Sequence, residues 1–416
     1  MSKIKGMAET PKHAPMNQFE VADNCLRIGG QPLGDIARRV GNTPFYAYDR
    51  TVMRSQVEQL RAALPAEIHL HYAMKANPMP EVVRYLAGIT EGLDVASAGE
   101  LKVALEAGAK PANISFAGPG KSDADLQAAV DSGVIINMES NAEMLRIAAL
   151  AEGNPIRPRV AIRINPDFEL KSAGMKMGSG PKPFGVDAEC VPAMLETLGI
   201  LHLEFMGFHI FSGSQNLREQ AIIEAQTKTF ELAFRLAQFA PSPVRWLNIG
   251  GGLGVPYFPG EQRLDLASIG ANLLPLIEAA RGKLPGAEIV MELGRYLTAE
   301  AGIYVCEVVD RKVSRGQTFL ITNGGLHHHL AASGNFGQII RKNYPLCLGN
   351  RISADDMEEV NVVGPLCTPL DVLGNKVILP RAGPGDLIVV FQSGAYGFSA
   401  SPKDFLSHPH PTEILL

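Results

Sequence analysis

The sequence predicts an α/β protein, a (β/α)8 TIM-type barrel followed by a C-terminal all-β domain, and three observations carry that expectation. Short apolar runs alternate with stretches of helical periodicity, eight of them over about 230 residues, the count and scale of such a barrel. On at least five of the eight runs the polar residues share one face. After Arg295 the pattern changes to short β-rich segments separated by Gly/Pro turns.

The apolar runs start near Ile68, Leu93, Ile114, Val134, Arg159, Glu204, Val244 and Glu288. Helical periodicity covers Glu81 to Leu86, Ala98 to Ala107, Ser122 to Ser132, Asn141 to Ala151, Arg218 to Phe239 and Leu264 to Arg281. A further helix, Arg50 to Leu64, follows the entry Thr43 to Asp49. Beyond the barrel the strand-like segments are Ile303 to Asp310, Phe319 to Thr322, Val360 to Val363 and Leu387 to Phe391. At 416 residues the chain exceeds the roughly 250 to 300 at which one core stops growing. The expected division is therefore 1–45 as a segment joining the β-domain, 46–296 as the barrel and 297–416 as the β-domain.

In the first run Ile68, Leu70, Tyr72 and Met74 alternate with His69, His71, Ala73 and Lys75. A strand has period 2, so Lys75 points away from the apolar face. The same parity sets Asp94, Arg163, His209, Phe211 and Glu292 on the polar faces, which in a barrel open into the lumen. Lys75 and Glu292 fall at strand C-termini, where barrel sites lie. A lysine there, partly desolvated and near cationic groups, is expected to have a lowered pKa and to form an imine with an aldehyde. A surface lysine at a strand end is the plainer alternative.

The run Asn248-Ile249-Gly250-Gly251-Gly252-Leu253-Gly254 ends the seventh strand, where glycines let backbone N–H groups close on a phosphate. A structural turn is the competing reading, and the run is neither a Walker motif nor a dinucleotide fingerprint. Glu292 follows Ile289, Val290 and Met291, so its buried carboxylate needs a partner. A pyridinium N–H would satisfy it, as would Arg295 in a structural pair.

With 46% hydrophobic residues, 19% charged residues and a net charge of −5, neither nucleic acid nor an anionic membrane is an expected partner. Met1 to Met16 lacks a signal-peptide apolar core and no 18 consecutive apolar residues occur, so a cytoplasmic protein is expected. The five cysteines show no CxxC spacing, against a disulfide framework or zinc site. Three consecutive residues cannot all face one ion, so His327, His328 and His329 are expected to line the site or pack, with no metal. The basic run Lys312 to Arg315 reads as a solvated turn.

HYAMKANP (His71–Pro78), LDVASAGE (Leu93–Glu100), GFHIFSGSQ (Gly207–Gln215), NIGGGLG, ELGR (Glu292–Arg295), GPLCTPLD (Gly364–Asp371) and GAYG (Gly394–Gly397) together resemble one family. It is the fold type III, group IV pyridoxal-phosphate decarboxylases of the diaminopimelate and ornithine decarboxylase type, matched from about Thr43 to Leu415. The resemblance implies a pyridoxal 5′-phosphate cofactor joined to Lys75 as an aldimine, with Glu292 keeping the pyridine nitrogen protonated. It places Ser214, Gly251, Gly252, Gly294, Arg295 and Tyr396 about the phosphate, His209 and Phe211 by the ring, and Asp94 and Arg163 beneath. It implies an acid, Cys367, supplied with Thr368 and Asp371 by the other subunit of a head-to-tail homodimer, and Arg295 also beside substrate. The substrate amine would move onto the cofactor and CO2 would then leave.

Two positions depart from the family. Phe211 replaces a second histidine, keeping an aromatic face but losing a polar contact. Thr368 replaces the acid that recognises a distal substrate amine, which disfavours free diaminopimelate, ornithine or lysine. With Thr368-Pro369-Leu370, the blocks Ser172–Met177 and Asn323–His329 resemble the subgroup found with exosortase A systems and exopolysaccharide clusters. A modified or carrier-tethered amino acid is thus the expected substrate; diaminopimelate decarboxylase, a racemase and a non-catalytic cofactor carrier are the alternatives.

Overall fold

A computed structural model describes residues 11–153, 155–168, 175–176 and 180–416. Strand β1 (Phe45–Tyr48) precedes eight parallel strands: β2 (Ile68–Ala73), β3 (Gly92–Val95), β4 (Ile114–Phe116), β5 (Ile135–Met138), β6 (Arg159–Asn165), β7 (Glu204–Ile210), β8 (Trp246–Gly251) and β9 (Glu288–Leu293). Each pairs with the next, and β9 pairs back onto β2 from Ile289↔Ile68 to Leu293↔Tyr72, closing the barrel.

Seven helices cover the outside: α2 (Pro80–Ala87), α3 (Ala98–Glu106), α4 (Asp123–Ser132), α5 (Asn141–Leu150), α6 (Val191–Leu198), α7 (Glu219–Leu236) and α8 (Leu266–Lys283). Three start at serine caps: Ser97 and Ser140 accept from the third backbone N–H beyond, and Ser122 forms a capping box with Asp125. After β9 only the short helix Arg295–Thr298 forms. Its place is filled by α1 (Arg50–Ala63), which packs against that turn, α8 and α2. The eighth helix of the barrel thus precedes its first strand.

Strand parity divides the lumen into layers. Ile135, Ala161, Trp246 and Val290 form a buried apolar floor. Two residues further along the same face of those four strands stand Asn137, Arg163, Asn248 and Glu292. The other four strands add His71, Asp94, Ser115 and His209, so every strand presents a buried polar residue above the floor. Lys75 corrects one expectation: β2 ends at Ala73, and Lys75 lies in the 3-10 turn Met74–Ala76 rather than on the strand. It reaches the lumen side by that turn and not by pleat alternation.

Beyond the barrel, β10 (Gly302–Ser314) pairs antiparallel with β1, Gly302 opposite Tyr48 and Val305 opposite Phe45. It continues antiparallel to β11 (Gln317–Thr322). The sheet is completed by β12 (Leu346–Leu348), β13 (Met357–Val363), β14 (Val372–Pro380), β15 (Leu387–Val390) and β16 (Thr412–Leu415), the last parallel to β1. The chain before the barrel therefore enters the β-sheet, through Tyr48. Of the sequence features above, Met1–Thr10 and Ser172, Ala173, Gly174 and Met177 lie outside the described residues. Among the described residues no helix is long and apolar enough to cross a membrane.

Candidate active site

At the C-terminal ends of β2, β8 and β9 lies a cavity of about 250 Å³. Lys75, Phe211, Ser214, Gly252, Glu292, Gly294, Arg295 and Tyr396 line it, with Phe336 and Tyr296. A larger polar groove of about 690 Å³ lies around Gln56, Arg263 and Glu300, outside the lumen. There Glu300 already accepts from Gln56 at 2.7 Å and from Arg263 at 2.8 Å, and no lysine is present.

Lys75 Nζ donates to Glu292 Oε1 at 3.2 Å, and its side chain is 50% exposed towards the cavity. His209 Nε2 stands 3.3 Å from the other oxygen, Oε2. Burial alone would push the Glu292 carboxyl up; Lys75, His209 and Arg163 outweigh it and hold the group well below the usual carboxylate range. The same contact overturns the lowered lysine pKa expected from the sequence. The nearest charge is the Glu292 carboxylate, which raises the ammonium above the ordinary lysine value against the opposing effects of burial and Arg163.

Beneath the cavity, Arg163 Nη1 donates to Glu139 Oε1 at 2.8 Å, and its guanidinium lies over the Phe184 ring, 5.1 Å from the centroid. Glu139 also accepts from the backbone N–H groups of Gly118 (2.6 Å) and Gly185 (3.1 Å). Asp94 accepts from Ser115 Oγ and faces His71 Nδ1 at 3.8 Å. Neither Asp94 nor Arg163 reaches the cavity wall; both support it from below, as does His209.

The glycine end is built for close approach. Gly252 has φ +80, and a Cβ there would lie 2.1 Å from Gly213 O. At Gly294 a Cβ would lie 2.8 Å from Ala73 O. Gly251 stands behind this wall, where a Cβ would strike Glu292 O at 1.9 Å. Arg295 donates to Tyr257 Oη at 3.0 Å and lies over Tyr396, 4.6 Å from its ring centroid, with Nε buried and unpartnered among the described residues. A bare glycine wall beside an arginine with a donor to spare suits an anion. A carboxylate beside a lysine amine at the other end suits a protonated ring nitrogen and an aldehyde. Pyridoxal phosphate has those groups, so the residues present fit it.

Cys367 is exposed and Thr368 half-buried, and neither lines this cavity. Asp371 is buried, accepting from Leu326 N at 2.6 Å and Leu366 N at 2.9 Å, which ties two loops together. The three histidines pack outside the cavity. His328 contacts Pro409 O at 2.9 Å, His329 contacts Ser393 Oγ at 2.9 Å, and His327 lies against His328 with centroids 3.7 Å apart and the rings tilted by 41°. Burial pushes His327 and His329 down to about 3. Three site residues escaped the sequence reading, among them Tyr296, which lines the cavity from the short helix after β9. Glu139 is an acid just past the C-terminal end of β5, the signal that singled out Glu292. Phe336 sits in an irregular loop with no periodicity to mark it.

Comparison with known proteins identifies the family. The family model "Pyridoxal-dependent decarboxylase, pyridoxal binding domain" matches residues 50–299. The chain is 41% identical to an L-glutamyl-[BtrI acyl-carrier protein] decarboxylase of Niallia circulans, over 90% of this chain and 88% of the relative. It is 32% identical to a 2-[(L-alanin-3-ylcarbamoyl)methyl]-2-hydroxybutanedioate decarboxylase of Staphylococcus aureus, over 89% and 93%. Diaminopimelate decarboxylase of Helicobacter pylori, solved with L-lysine, superposes with TM-score 0.82 at 29% identity over 92% and 94% of the two chains. Its barrel, its separate β-sheet domain and its matched sequence place the protein among carboxy-lyases that use pyridoxal phosphate: the chain belongs to the pyridoxal-dependent decarboxylase family.

Proposed function

We propose that the protein releases CO2 from an amino acid with no free distal amine, modified or joined to a carrier protein, with pyridoxal phosphate held by Lys75. The observation that carries the reading is the composition of the cavity wall. Glu292 is its only acid among the described residues, and it is the group that would be occupied by the ring nitrogen of the cofactor. A distal ammonium would find no partner there, and Thr368 offers none from the loop expected to complete the site. The relatives named for carrier-bound and modified amino acids support the same class.

When bound, pyridoxal phosphate supplies the electron sink for the pair left as CO2 departs. The residues of the chain set its surroundings. Lys75 gives the amine that holds it, and Glu292, kept ionised, would hold a proton on the ring nitrogen. Ser214, Gly252, Gly294, Arg295 and Tyr396 would receive the phosphate, and Arg163, fixed by Glu139, would keep positive charge beneath. Cys367 of a second subunit would return a proton, with residues 46–296 and 297–416 contributing to opposite sides of each site in a cytoplasmic homodimer. A carboxylate rather than an arginine at position 292 favours decarboxylation over racemisation. The test is CO2 release and the absorbance of lysine-bound cofactor. Lys75→Ala is expected to lose both, and a variant that keeps the lysine-type absorbance would contradict the role of Lys75.

A further inference from the structure

The polar belt beneath the cavity contains more hydrogen-bonding capacity than the protein around it uses. His71 and His209 are each 2% exposed, and Asn137 and Asn248 are wholly buried. Among the described residues, both ring nitrogens of His71 and of His209, both amide atoms of Asn137 and Nδ2 of Asn248 have no hydrogen-bond partner, His209 Nε2 standing 3.3 Å from Glu292 Oε2 as a charge contact. The residues stand on neighbouring strands of the lumen, from the floor up to Glu292. His209 pairs in register with Asn248, His71 with Glu292, and Asn137 with Ala161 of the floor. Asn248 Oδ1 accepts from Gly250 N at 2.8 Å, which identifies Nδ2 as its free end.

Direct pairing does not satisfy them. His71 Nδ1 stands 3.8 Å from Asp94 Oδ1, beyond a hydrogen bond. Buried polar groups are nearly always partnered, and enclosed polar positions that lack protein partners take up water, each molecule making about three hydrogen bonds. The floor of Ile135, Ala161, Trp246 and Val290 closes the lumen below, and Glu292 stands above.

We propose that this belt is an internal water-binding site, in which a small water cluster bonds Asn137, Asn248, His71 and His209 into one network beneath Glu292. The network has a consequence for the reaction. A water donating to His209 Nδ1 fixes the tautomer that carries its proton on Nε2, the nitrogen 3.3 Å from Glu292 Oε2. His209 and the water cluster are then positioning elements for the carboxylate.

A crystal structure of the cofactor-loaded enzyme, at a resolution that places ordered water, tests this directly. The expected result is water within about 2.7–3.2 Å of the Asn137 and Asn248 amides. Side chains bonded to one another with no water between them would overturn it. Asn137→Leu supplies a second readout. With the cofactor still bound, the pH profile of its absorbance is expected to move by about one unit, and an unmoved profile would overturn the link from the belt to Glu292. If that variant does not fold, the wild-type structure decides.

Discussion

Glu292 decides the charge balance of the site. It is 8% exposed, and burial opposes its ionised form, yet Lys75 at 3.2 Å, His209 at 3.3 Å and Arg163 keep it ionised. Because its folded value lies below the ordinary 4.5, its contribution to stability is present above about pH 4.5 and is lost as pH falls through the folded value. Glu292→Gln is expected to lower kcat by about 10²- to 10³-fold and to lack that part of the acid-side slope in denaturant unfolding. A variant with the wild-type slope would show that the carboxylate is not held ionised. This residue was legible in the sequence because pleat alternation alone sets its face, as it does for Asp94, Arg163 and His209. The protonation of Lys75 was not legible, because the carboxylate that raises it lies 217 residues away.

The end of β8 shows how one element carries both a fold and a function. Gly250, inside β8, and Gly252, just past its end on the cavity wall, take φ of +69 and +80. Positive φ at these glycines supports the structural reading, while contact with a phosphate belongs to the proposed function. Gly252→Ala adds backbone strain of about 1–3 kcal/mol to a Cβ 2.1 Å from Gly213 O. A lower melting temperature and at least about tenfold weaker cofactor binding are expected, and wild-type cofactor affinity would contradict the phosphate role. The barrel strands could be read because apolar runs and serine caps recur. Strand β14 could not: Gly374 and Lys376, the latter at φ +51, interrupt its alternation, and its partner β13 is irregular at Val360–Val363. Helix α6 is short, and Pro192 lies at its start.

At the scale of the molecule, β1 and β16 bring residues near both ends of the chain into the sheet that begins immediately after the barrel. Cys367, in the loop after β13, is exposed and off the cavity wall of its own chain. If two subunits share each site, Lys75→Ala and Cys367→Ala proteins, each inactive alone, will regain activity on mixing, up to about one quarter of wild type by random pairing of subunits. No recovery after demonstrated subunit exchange would refute the shared site. The family was legible because its motifs are local, and the GPLCTPLD motif singled out Cys367, but pairing between two subunits leaves no periodic pattern in one chain. Which amino acid enters the cavity is decided by CO2 release from the cofactor-loaded protein, offered free meso-diaminopimelate and a carrier-tethered L-glutamyl thioester side by side. Release from the tethered substrate and not from the free diamine is the predicted result; rapid release from diaminopimelate would contradict it.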